Sequence, residues 1–181
     1  VDNQIEVEIW SDKCLAPLAG EDANRWFTDF LGVGARLVFM SRTTRRLIDT
    51  RYAKDGQTVS FADGFPLLLT TEASLRDLNS RLSSPVPMKR FRPNIVVNGA
   101  VPFAEDSWSR IRVGSIEFMV SKPCSRCVMP TINTETGVSE PEVFRVLKSF
   151  RQREGNVYFG QNLIPCGQGV IRVGDKVEVV C

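Results

Sequence analysis

At 181 residues, 43% apolar and 24% charged, the chain has the length and composition of one ordinary folded domain, able to bury roughly 70% of its unfolded surface without metal or disulfide staples. A net charge of +2 gives no support to a nucleic-acid or anionic-membrane partner, which would need a clustered basic face. The longest apolar run, Phe65 to Leu69, is far short of the ~18 residues a membrane span requires.

In chain order, Val1-Asp2-Asn3 is followed by no charged leader with an apolar stretch, so the expectation is a processed or excised piece without a signal peptide. Ile5 to Trp10 alternates as a strand. Asp22 to Leu31 reads as a helix with Trp26, Phe27 and Phe30 on one stripe. Leu37 to Met40 is a further strand, and the basic run Arg42 to Arg46 is expected to be a solvated loop. "EASLRDLNSRL" aligns Leu75, Leu78 and Leu82 on one helical face, with Thr70 or Thr71 as cap. "KRFRPN", Lys89 to Asn94, sets three cations ahead of the strand Ile95 to Val97. They are either a solvated edge or a phosphate grip, because guanidinium groups bind phosphate bidentately.

"EDSW", Glu105 to Trp108, is expected as an exposed or capping turn. "IRVGSIEFMV" (Ile111 to Val120) and "IRVGDKVEVV" (Ile171 to Val180) read as two similar hairpins with Gly-Ser and Gly-Asp turns. "EPEVFRVLKSF" supplies a third helix through Val143, Leu147 and Phe150. Many short strands and few helices, expected to pack on a curved sheet, give an α+β fold, predominantly β.

The chemistry centres on "KPCSRCVMPT", Lys122 to Thr131, in a chain with no histidine. Histidine-based nucleophilic mechanisms and histidine metal ligands are thereby excluded. A four-thiolate zinc site would need a second CxxC, and Cys14, Cys166 and Cys181 do not form one. A thioredoxin-like pair normally opens a helix, which Pro130 and "TINTETG" do not suggest. Two buried apolar thiols remain possible. Against them, Lys122 and Arg126 favour a thiolate, the form that ligates soft or high-valent metals. Five cysteines without framework spacing fit a reducing compartment, and a cytoplasmic location is expected.

"FRPNIVVNGAVPFAEDSW", "IRVGSIEFMVSKPCSRCVMPTINTETG", "EPEVFRVLKSFRQ", "YFGQNLI" and "GVIRVGDKVEVV" together resemble the MOSC domain, named for the C-terminal domain of molybdenum cofactor sulfurases. Within it the likeness is to YcbX-like bacterial proteins and the mitochondrial amidoxime reducing component, from about Phe61 onward. The resemblance implies a MOSC-type β-barrel over residues 46–181, with 1–45 a remnant of the family's N-terminal region. It implies molybdenum held by a molybdopterin dithiolene, with Cys127 as the protein's metal ligand and catalytic residue. Asp63, Arg92, Asn94, Ser125, Arg126 and Asn162 match cofactor-binding positions. The implied activity is reduction of small N-hydroxylated compounds (hydroxylamines, amidoximes, N-hydroxylated bases), with electrons from a separate or C-terminal iron-sulfur donor. The alternative is a sulfur carrier holding a persulfide on Cys124 or Cys127, or a non-catalytic cofactor-binding module. Pro130 stands where relatives often carry threonine, which questions the hydrogen bonding after Cys127.

Overall fold

The computed structural model describes residues 3–54 and 56–180 and divides into two compact units, Val1–Gly64 and Phe65–Cys181.

In the first unit, β1 (Gln4–Ile9) and β2 (Asp12–Pro17) form an antiparallel hairpin. Helix α1 (Glu21–Leu31) ends on Gly32, whose φ of 68° lets its N–H reach the Thr28 carbonyl. The predicted stripe is present but buries nothing: Trp26 and Phe30 are 59% and 73% exposed and stack on each other with ring centroids 5.3 Å apart. Helical spacing therefore located α1 correctly and its packing wrongly. Leu37 to Met40 contributes only an isolated bridge, Val38 to Leu18. The basic run is not all solvated, since Arg46 is buried. Its guanidinium binds the Asp12 carboxylate and the carbonyls of Ser60, Ala62 and Asp63.

The second unit contains β3 (Leu67–Thr71), α2 (Glu72–Asn79), β4 (Ile95–Val97), β5 (Arg110–Val113), β6 (Ile116–Ser125), α3 (Glu142–Arg151), β7 (Gln152–Arg153), β8 (Asn156–Pro165) and β9 (Val177–Val179). The strands form one sheet in the order β4-β3-β8-β6-β5-β9, with β7 beside β8. Only β3 and β4 run parallel. Laid flat, strands spaced about 4.8 Å apart would put β4 and β9 roughly 24 Å from each other. Instead Ile95 and Val97 of β4 belong to the same apolar core as Ile111, Phe118 and Leu163, and Val177 of β9 packs against it. The sheet is thus strongly curled and barrel-like, an α+β fold rich in β.

A second core lies between α2, α3 and β8: Leu78, Val143, Leu147, Val157 and Phe159, with Phe91. Val157 and Phe159 face this core, yet Leu163 faces the barrel core. Strand periodicity of two would put all three on one face. The change of face follows a bulge: Pro123 pairs Gln161 but Ser125 pairs Tyr158, and Gly160 between them has φ 81°. A second shift, between Val120 and Lys122 on β6, adds Ser121.

Thr71 caps α2 by accepting the Ser74 N–H at 3.1 Å. The helix stops at Asn79, whose side-chain amide binds both backbone groups of Val86. The first predicted hairpin forms as expected, with Gly114 at φ 56° in its turn. The second does not. Arg172 and Asp175 close a turn, but its second arm pairs with β5. The "EDSW" segment also departs from expectation. Glu105 is fully buried and accepts hydrogen bonds from Ser74 Oγ at 2.7 Å and Thr71 Oγ1 at 3.2 Å. Asp106 pairs with Arg151 and accepts from Gln161 Nε2.

Candidate functional site

The sheet gathers several predicted residues in one row. Asn94 clasps β3 at Leu68: its N–H donates to the Leu68 carbonyl and its Oδ1 accepts the Leu68 N–H, each at 2.8 Å. Leu68 pairs with Asn162 on β8, and Asn162 with Lys122 on β6. Asn94, Asn162 and the strand leading to the cysteines are therefore adjacent. Asn94 holds backbone, whereas among the described residues the Asn162 side chain has no hydrogen-bond partner.

The CxxC stretch begins on β6, with Cys124 inside the register shift between Pro123 and Ser125, and such irregularities commonly re-aim side chains at a barrel rim. Ser125 Oγ donates to Asn156 Oδ1 at 3.3 Å, and the Arg126 N–H donates to Val157 O at 2.7 Å. Cys127 is exposed and Cys124 half-buried. The Arg126 guanidinium donates to Phe91 O at 2.8 Å and to Cys124 Sγ at 3.2 Å. The cation thus sits on Cys124, while among the described residues Cys127 Sγ accepts only the Met129 N–H, at 3.5 Å. Among the described residues Arg126 Nε is buried without a hydrogen-bond partner, as are Ser121 Oγ and Arg90 Nε.

Beyond the cysteines the chain makes a 3-10 turn, Met129–Thr131, with Pro130 at its start where no N–H is needed. The Thr131 hydroxyl donates to Val128 O at 2.6 Å. This closes the loop on the side that Pro130 had put in question.

"KRFRPN" ends a 3-10 turn, Met88–Phe91, and its three cations have different fates. Lys89 pairs with Glu135 at 2.9 Å. Arg90 is buried and pairs with Glu140. Arg92 is exposed, at φ 54° and ψ 45°, and among the described residues nothing accepts from its guanidinium. The edge is thus neither wholly solvated nor wholly a grip. Hydrogen bonds hold two carboxyls below the usual range: Asn133 and Arg90 act on Glu140, Lys89 on Glu135.

Asp63 belongs to the first unit, where it is exposed and Arg46 holds its carbonyl at 2.6 Å. Cys14 is buried and Cys166 exposed; Cys181 lies outside the described residues. Among the described residues no three or more Cys, Asp or Glu side chains gather as a metal cage, and no helix is long and apolar enough to cross a membrane. Sequence reading took Arg90 only as one of three cations on an edge or phosphate grip, and did not single out Glu140. No local spacing marks Arg90 as buried, because its partners Thr131 O and Glu140 lie 41 and 50 residues further along the chain.

Residues 56–178 match the family model of the MOSC domain. The chain belongs to the MOSC domain family. This MOSC domain is 39% identical over 176 residues to mitochondrial amidoxime-reducing component 1 of Mus musculus, covering 89% of the chain and 51% of that relative. It is 37% identical over 177 residues to mitochondrial amidoxime reducing component 2 of Homo sapiens, covering 87% and 51%. It is 31% identical over 172 residues to molybdenum cofactor sulfurase of Oryza sativa subsp. japonica, covering 86% and 21%. The chain spans about half the length of the amidoxime-reducing components it matches. Their likeness covers more of the chain than the motifs from Phe61 onward.

Proposed function

We propose that this MOSC domain binds a molybdenum-pterin cofactor through Cys127 and serves the reductive cleavage of N–O bonds in amidoximes and related N-hydroxylated compounds. One observation carries the proposal: the loop presenting the exposed Cys127 is hydrogen-bonded, through Arg126, to the turn that presents the open Arg92 guanidinium. A soft sulfur and a phosphate grip on one base suit a metal carried by a phosphorylated organic ligand. The residues also fit such a group in what they leave unmet. Among the described residues, Arg126 Nε in this loop, Ser121 Oγ on β6 and Arg90 Nε in the turn are buried polar atoms without hydrogen-bond partners. The protein offers Cys127 but no cage, so the metal's other donors would come from the dithiolene.

When bound, the cofactor supplies the two-electron chemistry, and the chain supplies orientation and charge. Cys127 is the protein's metal ligand and catalytic residue. Arg92 takes the phosphate, and Asn162 offers an amide to the pterin. Ser125, Arg126 and Asn94 contribute by shaping the loop and the row beside it, and Asp63 is assigned to the cofactor on family likeness. Cleaving an N–O bond consumes two electrons and two protons and releases water and the reduced nitrogen. The electrons come from an iron-sulfur or haem carrier, one at a time.

Protein from a molybdenum-replete host is expected to carry molybdenum and a pterin fluorophore, and Cys127→Ser to lose reduction of an aromatic amidoxime by at least ~100-fold. Full activity in that variant would sink the assignment. The Arg126 contact favours a second reading in which Cys124 carries a persulfide. Cyanolysable sulfur on metal-free protein, lost in Cys124→Ser and kept in Cys127→Ser, would establish it.

A further inference from the structure

We infer that Arg90 is a positioning residue for Cys127, a clamp between the two halves of the proposed cofactor grip. The inference rests on that proposal for its functional meaning, but its geometry is independent. Arg90 lies two residues before Arg92, in the Met88–Phe91 turn, with its side chain 5% exposed. Its Nη2 donates to Glu140 Oε2 at 2.5 Å, and its Nη1 approaches Thr131 O at 3.5 Å, the outer edge of hydrogen-bonding range. Both acceptors lie on the segment that follows Cys127.

Glu140 is itself fixed in the loop. Its Oε1 accepts from Asn133 Nδ2 at 2.9 Å, and its N–H donates to Thr131 O at 2.8 Å. Ile132 and Ser139 bridge the base of the same loop. Arg90 therefore grips a closed Thr131–Glu140 loop rather than a loose strand end. Upstream of Cys127, Arg126 ties the chain to Phe91 O in the same turn. Cys127 is thus spanned on both sides by bonds to one four-residue turn, Met88–Phe91, and Arg92 follows directly. Without Arg90, among the described residues the turn's remaining side-chain tie to the Thr131–Glu140 loop is the exposed Lys89–Glu135 pair, a kind of contact that holds weakly in water.

Burying a guanidinium is costly unless its partners are well placed, and a fold needing only bulk here could use an apolar side chain. Arg90→Met tests this, with Arg90→Lys, which retains the charge, as the conservative rescue. Glu140→Gln removes the charge from the exposed partner without emptying the interior. The first measurement is the rate of amide hydrogen exchange on metal-free protein, resolved by peptide mass over residues 127–140, because Cys127 itself is already exposed. Losing a charge-assisted bond should raise loop opening, and with it the rate, by about tenfold in Arg90→Met and Glu140→Gln. Arg90→Lys should restore most of the wild-type rate.

The second measurement is molybdenum retention after gel filtration, expected to fall in the same two variants. Unchanged exchange over residues 127–140 in both Arg90→Met and Glu140→Gln overturns the clamp. If Arg90→Met unfolds, Glu140→Gln decides alone. Faster exchange in a protein that binds no molybdenum would keep the clamp and overturn the cofactor proposal.

Discussion

At the scale of single residues, Arg92 stands out because an arginine rarely adopts a left-handed backbone. Its φ of 54° costs on the order of 1 kcal/mol relative to ordinary conformations. Phe91, buried against Phe159 with ring centroids 4.2 Å apart, and the Arg92 N–H bond to Lys89 O at 3.2 Å hold it there. Strain maintained by surrounding packing, on a side chain left open, is the pattern expected where binding sets the requirement. Arg92→Gly should therefore match or exceed wild-type stability, by up to about 1 kcal/mol after the entropy that glycine adds to the unfolded chain. The same variant should retain less molybdenum. Urea denaturation paired with metal analysis checks both, and a loss of several kcal/mol in Arg92→Gly would show that its side chain holds the fold instead.

Among the elements, β8 is the one on which site and cores both depend, and Gly160 is its pivot. A Cβ there would stand 2.6 Å from Leu69 O and 2.8 Å from Thr70 Cγ2. Gly160→Ala should cost more than about 2 kcal/mol, combining left-handed strain with a forced backbone shift. Gly155, at φ 79° and with open space for 4 Å around the place a Cβ would take, is the control: Ala there should cost only about 1 kcal/mol. Equal losses by denaturant titration would refute the close-approach argument. This bulge also marks where sequence reading stopped. Helices α2 and α3 and the first hairpin were legible because apolar spacing and Gly114 act locally. The change of face within β8 was not, since it depends on which strands flank Gly160. Likewise "IRVGDKVEVV" repeats a hairpin pattern, but its second arm pairs with β5. At the candidate site, the CxxC thiols and the "KRFRPN" cations were legible as residue types, and family likeness alone singled out Cys127 and Arg92. That Arg126 would sit on Cys124, and Arg90 turn inward, depended on neighbours distant in sequence.

At the scale of the whole molecule, six glutamates fall into two groups with opposite responses to acid. Glu117, Glu135, Glu140, Glu142 and Glu178 are exposed or half-exposed and are held below the usual range by hydrogen bonds and nearby cations. Their contribution is complete above the ordinary glutamate value and is lost as pH falls through their lowered values. Glu105 goes the other way, because burial raises it above the ordinary 4.5 despite the bonds from Ser74 and Thr71. Between 4.5 and that raised value, the folded state binds a proton that the unfolded state does not. Glu105 therefore costs most stability at neutral pH, and the cost fades as pH falls toward 4.5. Glu105→Gln has no charge to lose, so wild type should gain on it steadily as pH is lowered from neutrality. Thermal unfolding followed by tryptophan fluorescence will report this in the second unit, where Trp108 packs against the barrel core. Trp10 and Trp26 in the first unit are already 77% and 59% exposed and should change little. A wild-type-to-variant Tm difference independent of pH would mean that Glu105 does not titrate in this window, and one that moves in the variant's favour as pH falls would reverse the assigned direction.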